Sequence, residues 1–279
     1  MSESIERTEL LVPGPAQALA GLLGVALPDL GGGEGLPLLW HWVYLLERPV
    51  QADLGPDGHP ARGGIPVPPG PGRRRMWAAG RVVTSGVLRC DEPATRHTRV
   101  LTSTDKQGRT GAMTFVKVGH EIVQRGQVVI REEQDIVYRA AAAPAADEPV
   151  TSSAGPGPDE AGVPTRPDEW EVEISPTVLF RYSALTYNAH RIHYDRDFCR
   201  DVEGYPGLLV HGPLQATLMA EAARRRGVSG PLQFDYRLVA PLFDHQGLVV
   251  SATQTGDGFV TQVRDRWGRP TATGTVRAG

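Results

Sequence analysis

Residues 212–226 read GPLQATLMAEAARRR and form the strongest helical pattern in the chain. Pro213 suits a first helical turn, Leu214 and Leu218 recur on one face, and Gly227 ends the pattern. Four strand-like segments follow, at residues 231–239, 248–255, 258–265 and 271–277. A sheet wrapped around one apolar helix is an economical way to bury that helix. The C-terminal half is therefore predicted to be an α+β domain.

The N-terminal half carries a second set of strands without an equally strong helix. Strands are predicted at residues 77–88, 95–105, 112–123 and 127–138, with turn signals between them. Residues 16–26 predict a helix, and the aromatic run LPLLWHWVYLL at 36–46 predicts a buried strand. A short strand at 171–173 and a helix at 177–187 are predicted in the C-terminal half. If the two sets of antiparallel strands lie side by side, we expect them to form one continuous sheet.

A change in composition divides the chain. Residues 140–169 contain almost no large apolar side chains and are rich in Ala, Pro, Gly and acidic residues. Such a segment buries too little apolar surface to offset the entropy lost on ordering. We therefore expect an N-terminal domain at residues 1–139, a flexible linker at 140–169 and a C-terminal domain at 170–279.

The composition excludes several classes of protein. The 279 residues carry 29 Lys and Arg against 32 Asp and Glu, a net charge of -3, so no basic surface for nucleic acid is expected. No apolar run reaches the roughly 18–20 residues of a membrane helix, and MSESIERTEL lacks the features of a secretory signal. Two cysteines are too few for a disulfide framework. We expect a cytoplasmic enzyme or small-molecule binder with no nucleic-acid or membrane partner.

The densest group of polar side chains comes just before the helix at 212–226. Residues 187–195 read YNAHRIHYD, and GYPG at 204–207 and VHGP at 210–213 follow. A histidine titrates near neutral pH and can move a proton, which contributes about 10²–10⁴-fold to a rate. The N–H of Gly212 can stabilise a developing oxyanion, and one such donor is worth about 3–4 kcal/mol of activation free energy. This segment is predicted to be the active site.

Several segments carry a resemblance to one known family. They are FRYSALTYNAHRIHYD (180–195), EGYPGLLVHGPLQATLM (203–219), PLLWHW (37–42), GPDGHPARGG (55–64), RRRMW (73–77) and EEQDIVYR (132–139). Together they resemble the MaoC-like (R)-specific hydratase/dehydratase superfamily, and within it the branch of type 2 hydroxyacyl-thioester dehydratases and mesaconyl-CoA hydratases. The resemblance covers most of the chain apart from the N-terminal segment and the linker.

The resemblance implies a double hotdog fold with one active site per chain, in which the N-terminal half leaves room for an acyl group. It also implies a hydro-lyase that adds water reversibly to a 2-enoyl thioester and gives a 3-hydroxyacyl thioester. No metal and no cofactor are expected. Coenzyme A or an acyl carrier protein enters only as part of the acyl-thioester substrate. A homodimer would be consistent with the family.

The resemblance assigns roles to residues by position. The superfamily pattern Asp-x-Asn-Pro-Ile/Leu-His, aligned on Ile192 and His193, places His193 at the catalytic histidine. Asn188 then stands where the pattern has its catalytic aspartate, and His190 stands where it has asparagine. Because an amide is neither a general acid nor a general base, Asn188 is expected to position the water that His193 activates. Gly212 is expected to polarise the thioester, and His190 or a water to relay the proton to Cα.

The residues around this motif have expected supporting roles. His211 is expected to contact the thioester at the start of the helix. Tyr187, Tyr205 and Pro206 are expected to shape the substrate site. Asp195 is expected to be a turn or cap residue rather than a catalyst.

Three other functions stay open from the sequence. One is a variant lyase or cyclase on the same scaffold. Another is a non-catalytic acyl-thioester binder, which the replacement of the usual aspartate by Asn188 allows. The third is a hotdog thioesterase, which would depend on Glu221, although the position of Glu221 favours a solvated helix face.

Two further patterns have a simple structural interpretation. His190, His193 and Asp195 are close enough in sequence to bind a metal ion, but only His211 is near as a further ligand, and no metal is expected. The arginines at residues 73–75 could meet coenzyme A phosphates, although a solvated loop is the preferred interpretation.

Overall fold

The computed structural model describes residues 4–63, 66, 73–108, 111–140 and 162–279. Within this part of the chain, ten strands form one antiparallel sheet. The strands are β1 (Ser4–Leu10), β2 (Arg73–Thr84), β3 (Pro93–Gly108), β4 (Gly111–Gln124), β5 (Gln127–Ala140), β6 (Glu169–Val172), β7 (Leu232–Leu238), β8 (Leu248–Thr255), β9 (Gly258–Arg264) and β10 (Pro270–Ala278). The α-helices are α1 (Pro13–Leu23), α2 (Pro176–Leu185), α3 (Arg196–Phe198) and α4 (Gly212–Arg225). This combination confirms the predicted α+β class.

The sheet consists of two halves with equivalent strand orders. Its order is β1-β3-β4-β5-β2-β7-β10-β9-β8-β6, so the second half repeats the first in the opposite direction. The halves meet where β2 pairs with β7, from Ala79↔Arg237 to Val83↔Gln233. The expected continuous sheet is therefore present, and the junction of the two halves lies at its centre.

Helix α4 is buried almost all around. Ten of its fourteen residues are buried, including Leu214 and Leu218 on the predicted apolar face. Strands β8, β9 and β10 contact the helix, and Trp40 from the first half reaches it as well. A helix covered on so many sides is part of the interior and has no broad solvated face. Helix α4 therefore fixes the position of the segment that precedes it.

The predicted strand at residues 36–46 is wrong. The structure has a 3₁₀ turn there, Trp40–Val43, and Leu39 directly before it has a left-handed backbone with φ 70. An extended strand does not contain that conformation. The indole N–H of Trp40 donates to a carboxylate oxygen of Glu221 in α4 at 2.8 Å. The aromatic content indicated burial correctly, but a partner distant in sequence favours the turn.

Strand β1 is not among the strands predicted from the sequence. It pairs with β3 along its whole length, from Ser4↔Arg99 to Leu10↔Pro93. Its side chains alternate between exposed and half-buried, and it carries charged residues. Such an edge strand has no strongly apolar face to mark it in a sequence.

Residues 141–161 of the predicted linker at 140–169 lie outside the described residues. The described end of that segment is attached to the second half, since the N–H of Val163 donates to the carbonyl of Arg266 at 2.8 Å. The other predicted helices and strands are present, with ends shifted by a few residues. No described helix is long and apolar enough to cross a membrane.

Candidate active site

A cavity of about 2160 Å³ lies between the first half and the segment that joins α2 to α4. Strands β2 and β5 contribute to its wall, together with the loop that follows the Trp40–Val43 turn. Six residues predicted for the site line the cavity: Tyr187, Asn188, His190, His193, Tyr205 and Gly212. His211 and Pro206 lie off its wall, and Pro206 is exposed. The sequence motif therefore opens onto a cavity that both halves build.

The loop between α2 and His193 is shaped by a backbone turn at Tyr187 and by a hydrogen bond of the Asn188 side chain. Tyr187 has a left-handed backbone with φ 53, which turns the chain sharply after the helix. The side-chain oxygen of Asn188 accepts a hydrogen bond from the N–H of His190 at 3.0 Å. This bond orients the amide and leaves its NH₂ group to donate to a ligand. The geometry is compatible with the expected positioning of water by Asn188.

Asp195 ends this loop, as expected of a cap residue. Its Oδ1 accepts a hydrogen bond from the N–H of Phe198 at 3.0 Å and caps α3. Its Oδ2 accepts from Arg191 at 2.8 and 3.0 Å. Both oxygens of Asp195 therefore stabilise the loop. Among the described residues, His190, His193 and Asp195 do not come together as a metal-binding group.

His193 is buried, and one of its ring nitrogens is held by the backbone. Its Nδ1–H donates to the carbonyl of Leu209 at 2.7 Å, because a carbonyl oxygen only accepts. Leu209 in turn donates its N–H to the carbonyl of Ile192 at 2.9 Å, so the ring and the loop are fixed together. Burial lowers the pKa of His193 to about 3, so the ring is neutral near pH 7. Its Nε2 lone pair is therefore the basic position of the ring.

His211 lies behind His193. The two rings stack with centroids 3.6 Å apart and planes at 19°. The Nε2 of His211 shares a hydrogen bond with the hydroxyl of Ser183 in α2 at 2.9 Å, and the side chain is fully buried. Burial lowers the pKa of His211 well below its ordinary value, so the stacked pair is uncharged. This placement favours support of the His193 ring and does not favour the expected contact with the thioester.

Gly212 begins α4 and faces the cavity. The first N–H groups of a helix have no acceptor within the helix, and Pro213 has no N–H to offer. Gly212 therefore supplies a backbone donor at the cavity wall. A Cβ at this position would overlap Cδ1 of Leu238 and lie 3.4 Å from its Cγ. The lack of a side chain keeps this donor accessible.

The first half contributes two side chains that the sequence analysis does not assign to the site. The ring of His59 lies against that of His190 with centroids 3.9 Å apart, and its Nδ1 is 3.6 Å from Oδ2 of Asp57. The backbone carbonyl of Asp57 accepts a hydrogen bond from the N–H of Arg191 at 2.8 Å. The sequence signals for this contribution are the turn-rich composition of GPDGHPARGGIPVPPGPG, which is typical of functional loops, and the resemblance of its first ten residues to the family. No periodicity indicates which histidine its His59 will meet.

Asp57, His59 and His190 also form the one group of possible metal ligands found in the described part of the chain. Their ligand atoms lie within 4.8 Å of one another. The two rings contact each other closely, however, and Arg75 lines the same cavity. A nearby guanidinium opposes binding of a second cation. The cluster is therefore better suited to handling protons than to holding a metal ion.

Glu221 is buried, which corrects the expectation of a solvated helix face. Its carboxylate accepts from the Trp40 indole at 2.8 Å and pairs with Arg224 at 2.8 Å. The reason is the turn from the first half, which covers this side of α4. Glu221 is not on the cavity wall, so its placement does not favour the thioesterase alternative.

Replacing Glu221 with alanine should lower the free energy of unfolding by about 2 kcal/mol, because the Trp40 indole N–H then stays buried without an acceptor. Arg224 is partly exposed and can be solvated, which limits the loss. Activity per folded molecule should be close to that of the wild type. Urea denaturation and steady-state kinetics on the same preparation measure both quantities. A loss of turnover at unchanged stability would instead place Glu221 in the reaction.

The buried histidines should make stability fall in mild acid. Burial lowers the pKa of His59, His190 and His211, that of His193 to about 3 and that of His120 to about 4. Between these values and about 6.5, the unfolded chain binds more protons than the folded chain. Stability that is present above pH 6.5 is therefore lost as the pH falls, by up to about 1.4 kcal/mol per pH unit for each histidine.

Urea denaturation of the wild type and of His120→Gln between pH 7 and pH 5 measures this loss. His120 shares a hydrogen bond with Thr98 and lies outside the reacting cluster. We expect the variant to lose stability less steeply with falling pH, because one buried histidine is gone. Equal slopes in the two proteins would contradict the assignment of His120 as a buried neutral ring.

The comparisons with known proteins agree on one family. The sequence profile of the hydroxyacyl-thioester dehydratase type 2 family matches residues 39–244. The mesaconyl-C(4)-CoA hydratase of Chloroflexus aurantiacus is 43% identical over 268 residues, which are 95% of this chain and 92% of that protein. Both matches include the loop of the first half and the histidine motif of the second.

Solved structures with low sequence identity show the fold. The crystal structure of HtdX from Mycobacterium tuberculosis has a TM-score of 0.67 at 14% identity, and the alignment covers 99% of this chain and 100% of that one. A second protein of that organism, which has a double hotdog fold, has a TM-score of 0.57 at 16% identity, with 99% and 94% covered. The expected double hotdog is thus confirmed, and the chain belongs to the hydroxyacyl-thioester dehydratase type 2 family.

Proposed function

We propose that this chain catalyses the reversible addition of water to a 2-enoyl-coenzyme A thioester, which gives the 3-hydroxyacyl thioester. The observation that carries the proposal is the state of His193, a neutral ring at the cavity whose Nδ1 is fixed on Leu209. The start of α4 opens onto the same cavity with the N–H of Gly212. A general base and an oxyanion donor in one cavity are what this addition requires. Membership in the family supports the reaction class.

In the direction of hydration, Nε2 of His193 accepts a proton from water as the water oxygen forms its bond to Cβ. The electrons of the double bond move towards the thioester carbonyl. The negative charge on its oxygen is stabilised by the N–H of Gly212 and by the positive end of α4. The NH₂ group of Asn188 donates to the water and holds it in place. The proton returns to Cα from the adjacent pair His193 and His190, so both rings end neutral.

Asp57 and His59 complete this proton-handling group from the other half of the chain. The carboxylate of Asp57 lowers the cost of a positive charge on His59, whose ring lies against His190. Asn188 cannot provide a carboxylate at the usual aspartate position. Asp57 supplies a carboxylate from the N-terminal half, and it acts on His190 through the ring of His59.

The cavity needs no resident metal for this reaction. A neutral base is present in His193, and the oxyanion is stabilised by a backbone donor. Arg75 lines the same cavity, its charge lowers the pKa of His59 and of His190, and it opposes binding of a further cation. Dialysis against a chelator should therefore leave the rate of hydration unchanged.

A panel of enoyl-coenzyme A thioesters tests the proposal. It starts with the mesaconyl-C4 thioester, because of the 43% identity to a hydratase of that name, and continues with crotonyl and longer enoyl groups. At least one thioester should gain the mass of one water and lose its enoyl absorbance. Binding of all of them without change would support an acyl-thioester binder. Release of free thiol would support a thioesterase.

A further inference from the structure

The loop at residues 54–60, which carries the ring of His59, is closed upon itself. Its ends pair as an isolated antiparallel bridge between Leu54 and Pro60. Inside the loop, the N–H of Gly55 donates to the carbonyl of His59 at 2.7 Å. These bonds limit the shapes that the loop can take, so its backbone and the His59 ring move together. A contact that fixes the backbone of this loop therefore also places the ring.

Arg191 holds this loop from the second half of the chain. Its Nη1 donates to the carbonyl of Pro56 at 3.0 Å, and its backbone N–H donates to the carbonyl of Asp57 at 2.8 Å. Two successive carbonyls of the loop are thus bound by one residue. Arg191 directly follows His190, whose ring lies against that of His59. The ring contact and the hydrogen bonds of Arg191 therefore lie at the same junction of the two halves.

The guanidinium of Arg191 is itself held in one orientation by its own half. Its Nε and Nη2 donate to Oδ2 of Asp195 at 3.0 and 2.8 Å, and its Cζ lies 4.3 Å from the ring centroid of Phe198. A planar guanidinium that is bound in this way presents its remaining donor in a fixed direction. That donor is Nη1, which reaches Pro56. Arg191 does not line the cavity, so it acts on the reaction through other residues.

Another ion pair joins the two halves away from this loop. Residues 73–75 form the start of β2 and not the preferred solvated loop, and Nε of Arg74 lies 3.0 Å from the carboxylate of Glu203. This pair and the pairing of β2 with β7 do not depend on Arg191. Loss of the Arg191 side chain should therefore loosen the loop at 54–60 without separating the halves.

We propose that Arg191 is a positioning residue that docks the loop at 54–60 on the histidine motif and so sets the contact between His59 and His190. This inference rests on the proposed hydration, in which these two rings handle protons. A proton moves efficiently only between groups within hydrogen-bond reach, and a misplacement of about 1 Å can cost about 100-fold in rate. A loop that is no longer held should therefore lower turnover more than it weakens binding of the thioester.

The contacts of Arg191 contribute more to placement than to stability. Its side chain is 37% exposed, and that of its partner Asp195 is 28% exposed. Ion pairs with this much solvent contact add little to the free energy of unfolding. A variant without the guanidinium should therefore fold, with a melting temperature that changes by a few degrees at most. The effect of the contact on the reaction can then be measured in a folded protein.

Arg191→Met tests this role, because methionine keeps an apolar contact with Phe198 and loses the donor to Pro56. In hydrogen exchange read by mass spectrometry, the peptide with residues 54–60 should exchange at least about threefold faster than in the wild type. The kcat for hydration should fall by about 30-fold, with KM within about threefold. Arg191→Lys keeps the charge without the fork of donors and should lose about tenfold in kcat.

A double-mutant cycle with His59→Gln separates positioning from a general effect on the fold. If Arg191 acts through His59, adding Arg191→Met to the His59→Gln variant should lower kcat by less than about twofold further. A loss of about 30-fold in that background as well would show that Arg191 acts elsewhere, and would overturn the inference.

Arg200→Met is the matched control, because it removes the same charge from the same segment. The Arg200 side chain is 64% exposed and pairs with Asp197 and Asp201, both in its own half. Exchange of residues 54–60 and kcat should stay at the wild-type values. Unchanged exchange of these residues in Arg191→Met would overturn the inference. This measurement needs no substrate, so its failure is distinct from a failure of the enoyl panel to show hydration.

Discussion

Replacing His193 with alanine should reduce kcat/KM for hydration by about 10³-fold. The substitution removes the base that takes the proton from water. Nδ1 of His193 is committed to the carbonyl of Leu209, so Nε2 is the position where the base acts. Most of the loss should be in kcat, with KM little changed, because the imidazole interacts with the attacking water in the transition state.

Two further variants make this result specific to the base. His193→Gln keeps a polar side chain of similar length and should be nearly as inactive as the alanine variant. His97→Ala is the matched control, because His97 is a half-exposed histidine on β3 whose Nδ1 is 3.5 Å from Glu6. It should retain wild-type turnover. If His193→Ala kept activity within tenfold of the wild type, the base would be elsewhere in the cavity and the proposed mechanism would be wrong.

The elements that sequence reasoning predicts well are those with a local pattern. The apolar spacing of Leu214 and Leu218, with a proline at the start and a glycine after the end, places α4 almost to the residue. Apart from β1, the strands of both halves follow from alternation and turn signals. The strand at 36–46 fails because its aromatic residues are also compatible with a buried turn. Contacts with residues distant in sequence, such as those of Trp40 with Glu221 and of Trp42 with Glu132, favour the turn.

In the site, too, residues that are close in sequence could be predicted, and those brought in from a distant segment could not. Asn188, His190 and His193 lie within six consecutive residues, so one loop brings them to the cavity together. Asp57 and His59 come from the opposite half of the chain, and their approach depends on how two loops dock. A single sequence carries no periodic signal for such docking. The turn-rich composition of their loop predicts that it is functional without identifying its partner.

Replacing Gly58 with alanine should reduce turnover by about 10²-fold while most of the fold stays intact. Gly58 has φ 85, in the left-handed region that favours glycine. A Cβ there would overlap the carbonyl oxygen of Ala189 and lie 2.8 Å from its carbonyl carbon. Backbone atoms cannot move aside as the end of a side chain can. The loop that carries Asp57 and His59 must therefore withdraw from His190.

Gly63→Ala separates this contact from the backbone cost. Gly63 lies in the same loop with φ 68, and nothing lies within 4 Å of its would-be Cβ in the described structure. Both substitutions cost about 1 kcal/mol of backbone strain, but only the one at Gly58 forces the loop from Ala189. Thermal melts and kcat/KM of the two variants measure the difference. Equal losses of activity would mean that docking of the first half is not needed for the reaction. A loss confined to Gly58→Ala would show that the histidine motif depends on its contact with the N-terminal half, so that neither half holds a complete site.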